Sequence, residues 1–430
     1  MKLSVVGCGY VGLVSGACLA SLGNEVVCVD IDKRKIALLK KGKMPIYEPG
    51  LGDLVRENVR RRRLFFTSDL KRAVRKSDVI FIAVGTPPRP NGGADLSFVE
   101  NVARTIAEEM NSFKIIVEKS TVPVETGEWI QKTVERYAKK GAKFEVASNP
   151  EFLREGTAVK DFMHPDRVIL GVESKKAEEA LRQIYRPLKV PIVATDIRSA
   201  EIIKHASNSF LAMKISFINA ISNLCDAAKA DVGQVALGVG LDRRIGPAFL
   251  NAGIGFGGFC FPKDLAAFIH LSEKLGYDFE LLRAVEKINQ NQKAVFLKKI
   301  DQAIWNVGSK TIGVLGLSFK PDTDDMRFAP SIEIIEALQA QGARVRAFDP
   351  HAMPKAGEIF KNVVFCKDSY SACRGSDCLV ILTEWDEFKK LDLKKVKKLL
   401  NQPVIVDGRN IYRPEEVRAL GFRYFSMGRS

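Results

Sequence analysis

The stretch Gly7-Cys8-Gly9-Tyr10-Val11-Gly12 constrains this chain more than any other. G-x-G-x-x-G alone is a weak signal. Here it follows the strand pattern KLSVV at 2–6 and opens a segment with helical spacing, and a second strand pattern, NEVVCVDID at 24–32, carries Asp30 at its end. Strand, glycine turn, helix, strand and acid in that order form a dinucleotide fingerprint. Gly7 permits the tight turn, Gly9 lets a pyrophosphate approach the backbone, and Gly12 lets the helix pack on the strand. The helix N-terminus offers free N–H groups and positive potential to the phosphates. Asp30 suits adenosine ribose hydroxyls and repels a 2′-phosphate, which favours NAD over NADP. Arg34 and Lys35 weaken that discrimination slightly.

The same opening, with one early lysine before an apolar run, looks like a secretory leader. Its three glycines and the following strand argue for a strand–turn–helix instead. No uninterrupted apolar stretch is long enough to cross a bilayer. The eight cysteines form no C-x-x-C pair and the four histidines are scattered. That excludes a zinc framework and predicts free thiols in a reducing cytoplasm, with no metal. A formal net charge of +15 favours anionic partners such as nucleotides. The run RRRR at 60–63 reads as a solvated helix end, since no nucleic-acid fold signature accompanies it. Neither a nucleic acid nor a membrane is expected as a partner.

Further strand patterns follow at 77–87, 113–121 and 144–150, with helical stretches between them. This alternation predicts a parallel, doubly wound α/β sheet. From about 196 the pattern changes to more than thirty residues of helical periodicity without glycine or proline. Such a helix, roughly 45 Å long, predicts a helical middle domain and a dimer seam. Near Lys310 the first pattern returns: KTIGVLGLSFK echoes the opening turn, ARVRAFDP echoes NEVVCVDI, and SDCLVILTEWD echoes SDVIFIAVGTP. This is a duplicated nucleotide-binding architecture. The second copy has Gly313 and Gly316 but no third glycine in register, so it holds a different nucleotide or none. The expected domains are 1–195 (dinucleotide-binding α/β), 196–300 (helical, dimerising) and 301–430 (α/β).

The stretch GFGGFCFPKD at 255–264 places Cys260 after a glycine-rich turn. Pro262 fits the first turn of a helix, where the dipole lowers a thiol pKa. Lys263 adds positive charge, and Asp264, one helical turn on, can handle protons. Beside a nicotinamide, such a thiol suggests a four-electron oxidation. It traps an aldehyde as a thiohemiacetal, which is oxidised to a thioester and hydrolysed. The alternative is a small buried hydrophobe, as most free cysteines are. Lys204 and Asn208 share one helix face and could stabilise an oxyanion, although spacing alone favours a solvent-facing lysine. Glu151 and Glu155 follow a strand end, where they could activate water or simply start a helix. Thr86 and Thr121 sit at other strand ends. KPDTDDMR at 320–327 is a binding loop or a solvated one.

Eight segments together are specific: GYVGL, GTPP, STVPVETG, SNPEFLREGTAVKDFMHPDRVILG, KHASNSFLAMKISFIN, GIGFGGFCFPKD, GLSFKPDTDDMR and VDGRN. In this order, over essentially the whole chain, they resemble the UDP-glucose 6-dehydrogenase family of nucleotide-sugar dehydrogenases. The resemblance implies oxidation of UDP-glucose to UDP-glucuronate with two NAD⁺. It also implies catalytic roles for Cys260 (thioester), Lys204 and Asn208 (at the reacting oxygen), Asp264 (proton transfer), and Thr121, Glu151 and Glu155 (water and acid–base handling). Implied NAD contacts are Val11, Asp30, Lys35, Thr86, Thr121, Glu155, Lys263 and Arg327. Implied nucleotide-sugar contacts are Phe152, Leu153, Arg154, Glu155, Lys204, Asn208, Arg244, Phe249, Leu250, Asn251, Ala252, Gly253, Gly257, Lys320 and Arg409. The carboxy-terminal domain would hold the UDP, and the protein would be at least a homodimer. Two positions depart from the family pattern: Phe259 replaces a small residue and Ala220 a glutamate. Sister enzymes acting on GDP-mannose or a UDP-N-acetylhexosamine are the alternative, and a catalytically silent nucleotide-binding regulator is a third.

Overall fold

The computed structural model describes residues 1–89 and 93–429. The chain divides into two compact units, Met1–Ser207 with Ala266–Tyr277, and Asn208–Leu265 with Asp278–Ser430.

The first unit is built on an eight-stranded sheet of β1 (Lys2–Val6), β2 (Glu25–Val29), β3 (Leu64–Thr67), β4 (Val79–Ile82), β5 (Lys114–Glu118), β6 (Phe144–Ser148), β7 (Val168–Val172) and β8 (Ile192–Thr195). The order is β3-β2-β1-β4-β5-β6-β7-β8. Its central strands β4 and β5 are wholly buried, because both sheet faces are covered. Successive residues feed opposite cores: Val79 and Phe81 pack on one side, Ile80 and Ile82 on the other.

Register decides what meets at the carboxyl edge. Val6 pairs with both Val29 and Ile82, Ile82 with Glu118, and Glu118 with Ser148. The next residues, Gly7, Asp30, Ala83, Lys119 and Asn149, therefore share one edge, where ligands gather in such sheets. One pair departs from the expected parallel arrangement: β6 and β7 are antiparallel. A parallel return needs a crossover over the sheet face. The connection 149–167 has only the short helix Ala158–Met163, and the chain turns back instead. SNPEFLREG thus lies in a loop at the carboxyl end of β6.

The second unit holds a six-stranded parallel sheet of β9 (Thr311–Leu315), β10 (Arg344–Phe348), β11 (Val363–Phe365), β12 (Cys378–Ile381), β13 (Val404–Asp407) and β14 (Arg423–Ser426), in the order β11-β10-β9-β12-β13-β14. Ile312 and Val314 face one core, Leu315 and Ile381 the other. The duplicated α/β architecture and its helical middle are as expected. The long helix is Ile197–Ala228, and a second, Glu280–Ile304, follows the helix Cys260–Lys274. No described helix is long and apolar enough to cross a membrane.

Candidate active site residues in two groups

In the first unit the glycine turn is closed on one side and open on the other. Gly7 has φ +103°, and a Cβ there would lie 2.5 Å from the Ala83 oxygen. A Cβ on Gly12 would lie 1.8 Å from the Gly7 oxygen, so helix Tyr10–Ser21 packs tightly on β1 only because position 12 is bare. A Cβ on Gly9 would meet nothing within 4 Å. That open face at the helix N-terminus, beside Val11, fits a pyrophosphate. Asp30 accepts from the N–H groups of Cys8 and Asp32 and from Lys35 Nζ, each at 2.9 Å. Burial opposes its ionisation, but these donors hold the carboxyl below its ordinary value. Three donors leave an ionised carboxylate room for ribose hydroxyls.

Further along the same edge lies a buried cluster of charge. Lys204 is buried, and its Nζ donates to Glu151 Oε1 at 3.2 Å. The solvent-facing lysine that spacing favours is therefore not observed. The helix turns Lys204 into the unit, and a carboxylate partner compensates its burial. Glu151 Oε2 also accepts from the Leu153 N–H, which fixes the start of the FLREG loop. The Phe152 ring centroid lies 5.2 Å from Lys204 Nζ and 3.9 Å from the Arg167 guanidinium carbon. Arg154 is turned to Asp161, which it grips through Nε and Nη2 at 3.0 and 2.6 Å. Glu155 is half-buried. Thr86 Oγ1 donates to the Thr121 carbonyl at 2.9 Å.

Several residues that hold this group were not singled out from sequence. Lys119 bonds Asn149 at 2.9 Å, and burial pulls its pKa down to about 8 against the pull of Glu151 and Glu118. Glu201, one turn before Lys204, accepts from the N–H groups of Glu125 and Gly127 at 2.8 and 2.9 Å, and burial pushes its carboxyl up to about 7. His205 Nε2 donates to the Val122 carbonyl at 2.7 Å. Glu201 and His205 thus tie the Thr121 loop to the Lys204 helix. Glu48 ties the other loop to helix Tyr10–Ser21: it accepts from the Gly156 N–H at 2.7 Å and from the Tyr10 hydroxyl. Nothing in local spacing links partners 38 and 108 positions apart.

The second group belongs to the other unit. Cys260 is the first residue of helix Cys260–Lys274 and is exposed, whereas the other seven cysteines are buried. Burial pushes Cys18, Cys373 and Cys378 up to about 12. Cys260 instead sits at the positive end of a helix, which favours negative charge. Asp264, one turn on, is buried; it accepts from Asn208 Nδ2 at 2.6 Å and pairs with Lys263 Nζ at 2.7 Å. The glycines before the thiol are used for close approach. A Cβ on Gly257 would lie 2.3 Å from the Phe328 oxygen, and one on Gly258, at φ +78°, 2.6 Å from the Phe319 ring. Arg409 clasps this loop through the carbonyls of Gly255, Leu382 and Phe319 at 3.1, 2.8 and 3.2 Å. Gly253 donates to Asn219 Oδ1 at 2.8 Å. Leu250 and Ala252 pack into a core with Ile218 and Val232, while Asn251 is exposed. Phe249 has φ +64° and its ring lies 6.3 Å from that of Phe261. Lys320 Nζ lies 5.6 Å from the Phe319 ring centroid. Arg327 grips Asp325. Arg244 is not brought to this group: its side chain is 89% exposed and pairs with Asp242 on its own turn.

Three family models match in chain order: the NAD binding domain of the UDP-glucose/GDP-mannose dehydrogenase family over 1–189, its central domain over 198–291 and its UDP binding domain over 313–414. The chain belongs to that family. Its NAD binding domain bears out the cofactor expected from the glycine turn and Asp30. UDP-glucose 6-dehydrogenase TuaD of Bacillus subtilis (strain 168) is 51% identical over 429 residues, covering 100% of this chain and 93% of that protein. A UDP-glucose 6-dehydrogenase of Rhizobium meliloti (strain 1021) is 48% identical, covering 100% of both. Among solved structures, a UDP-glucose dehydrogenase from the hyperthermophilic archaeon Pyrobaculum islandicum superposes with TM-score 0.93 at 38% identity, covering 99% of this chain and 97% of that one. A UDP-D-ManNAc dehydrogenase from Pyrococcus horikoshii follows at TM-score 0.88 and 29% identity, with 100% and 99% covered.

Proposed function

We propose that this family member oxidises UDP-glucose to UDP-glucuronate, a four-electron oxidation that consumes two NAD⁺ per sugar. The observation that carries this reading is the state of Cys260: exposed, at a helix N-terminus, one turn from a buried Asp264 that is bonded to Asn208 and Lys263. NAD⁺, when bound, accepts one hydride from the reacting carbon in each of two oxidations. Gly9 leaves room for its pyrophosphate, Asp30 suits its ribose, and the Thr121 loop and Glu155 serve the same cofactor.

The chain's own residues supply the remaining chemistry. In the first oxidation the alcohol proton leaves to a carboxylate base while Lys204 steadies the developing alkoxide. The Cys260 thiolate then adds to the aldehyde carbon, a C–S bond forms, and the oxygen takes up a proton to give a thiohemiacetal. In the second oxidation the thiohemiacetal hydroxyl proton leaves to the carboxylate base, and a thioester remains. Water attacks its carbonyl, Lys204 and Asn208 stabilise the oxyanion, the C–S bond breaks, and the thiolate and the acid are released. Lys204 is suited to the oxyanion because Glu151 holds it in place. Glu151, Glu155, Thr121 and Asp264 manage the water and the protons. UDP binds in the second unit, with Lys320, Arg409 and the Phe249 to Gly257 loop as its contacts.

The protein acts in the cytoplasm as a homodimer. On helix Ile197–Ala228, Phe210, Phe217 and Leu224 recur every seven residues and are all exposed, as are Leu237 and Leu241 nearby in the chain. An apolar stripe of this kind marks a protein interface, and a second copy presents the same stripe. The function is tested by comparing kcat/KM for UDP-glucose, GDP-mannose and a UDP-N-acetylhexosamine. UDP-glucose is expected to lead by at least about tenfold, the scale of a well-formed specificity pocket. Turnover of another sugar without UDP-glucose would move the substrate and leave the chemistry standing.

A further inference from the structure

Phe259 stands directly before Cys260, and its ring is shared by two cations. The Arg327 guanidinium carbon lies 4.3 Å and Lys263 Nζ 5.6 Å from the ring centroid. Both distances are within the reach of cation–π attraction, about 6 Å. Each cation also has an acid partner. Arg327 meets Asp325 Oδ2 through Nε and Nη2 at 2.9 and 2.6 Å, and Lys263 meets Asp264 at 2.7 Å. Asp264 in turn accepts from Asn208. The series Asp325, Arg327, Phe259, Lys263, Asp264 and Asn208 is thus continuous past the residue that bears the thiol.

The two kinds of partner do different things. A carboxylate fixes a cation and offsets part of its charge. An aromatic face fixes a cation and leaves that charge available to a second anion. The Arg327 side chain is 51% exposed, and its partner Asp325 is two residues away in the chain. We propose that Phe259 is a positioning residue for the cofactor, whose ring holds Arg327 and Lys263 ready for the negative charge of the dinucleotide. This rests on the reading of those two cations as cofactor contacts. An aliphatic side chain of similar volume would fill the same space without a π face.

The test is equilibrium binding of NAD⁺ to the full-length protein, measured by calorimetry, with unfolding midpoints taken in parallel. Phe259→Leu should weaken NAD⁺ about 3–10-fold, the scale of one or two exposed cation–π contacts. Phe259→Tyr should stay within about twofold, since the ring is kept. Arg327→Ala should weaken binding at least as much as Phe259→Leu, and adding Phe259→Leu to it should cost less than in the wild type. If Arg327→Ala weakens binding while Phe259→Leu binds like the wild type, the role of the ring is wrong. If Leu and Tyr at 259 weaken binding alike, volume or polarity matters rather than the π face, and the proposal also fails. If Arg327→Ala leaves binding unchanged, the cofactor reading of Arg327 itself falls.

Discussion

Asp30 and Asp349 occupy the same place in two sheets, one residue past the end of the strand that follows the glycine turn. Asp30 accepts from three donors. Asp349 is fully buried and accepts from the N–H groups of Leu317, Ser318, His351 and Ala352, from the Ser318 hydroxyl and from the Trp385 indole. The turns differ in the same sense. Gly7 leads within three residues into a helix at Tyr10, so free N–H groups face outward. Gly316 leads into the segment 317–329, and the next helix begins only at Pro330. The backbone donors after that turn are spent on the unit's own acid. A repeated strand–turn–acid pattern therefore yields a dinucleotide cradle in one copy and a structural lock in the other. The second unit must recognise its nucleotide with other residues.

The largest test of this comparison is to remove the lock. Asp349→Ala would leave several buried donors unsatisfied, at a cost of about 3–5 kcal/mol in urea unfolding of the second unit. A change under about 1 kcal/mol would mean that Asp349 is free to bind ligand as Asp30 is.

Buried carboxyls give the first unit a signature against pH, as Asp407, pushed up by burial, does in the second. The Glu201 carboxyl is pushed up to about 7 by burial, so between its unfolded value of 4.5 and 7 the folded state holds more protons than the unfolded one. Stability from this group is thus greatest at low pH and falls as pH rises to about 7, by up to about 3 kcal/mol. Glu201→Gln should flatten that part of the stability–pH curve relative to wild type. Glu118 is pushed up by burial and then by the charge of Glu201, so the variant relieves it as well and flattens the curve in the same direction. Parallel curves would show that folding leaves the Glu201 pKa unchanged.

Asp30→Ala should weaken NAD⁺ on the order of 10–100-fold, the loss of charge-assisted hydrogen bonds to a ribose. It should also narrow the preference over NADP⁺. Unfolding should change by less than about 1 kcal/mol, because this carboxylate is not closed in by its own unit. A stability loss equal to that of Asp349→Ala would erase the distinction between the copies.

The glycine spacing, the two echoing strand series and the long unbroken helix were legible because each is a local pattern. The sense of β7 was not, since alternation of strands and helices carries no direction. Asp349 shows the same limit. Its place in the pattern can be read, but the donors that close around it come from three separate segments. Cys260 could be placed at a helix start from Pro262 and the glycines, while its exposure could not be read. The burial of Lys204 depends on Glu151, 53 positions away, and spacing on its own helix pointed the other way. Glu48 had no signal in its neighbourhood, and Glu201 had only its position one turn before Lys204. Phe259 was visible as a departure from the family pattern, but its partnership with Arg327 needed the fold.

The most direct measurement is NADH formed per UDP-glucose, with the sugar limiting and NAD⁺ in excess, for the wild type and for Cys260→Ser. The wild type should give two NADH per sugar, and the variant no repeated turnover to the acid. One NADH per sugar from the wild type, or two with normal turnover from the variant, would contradict a thioester on Cys260.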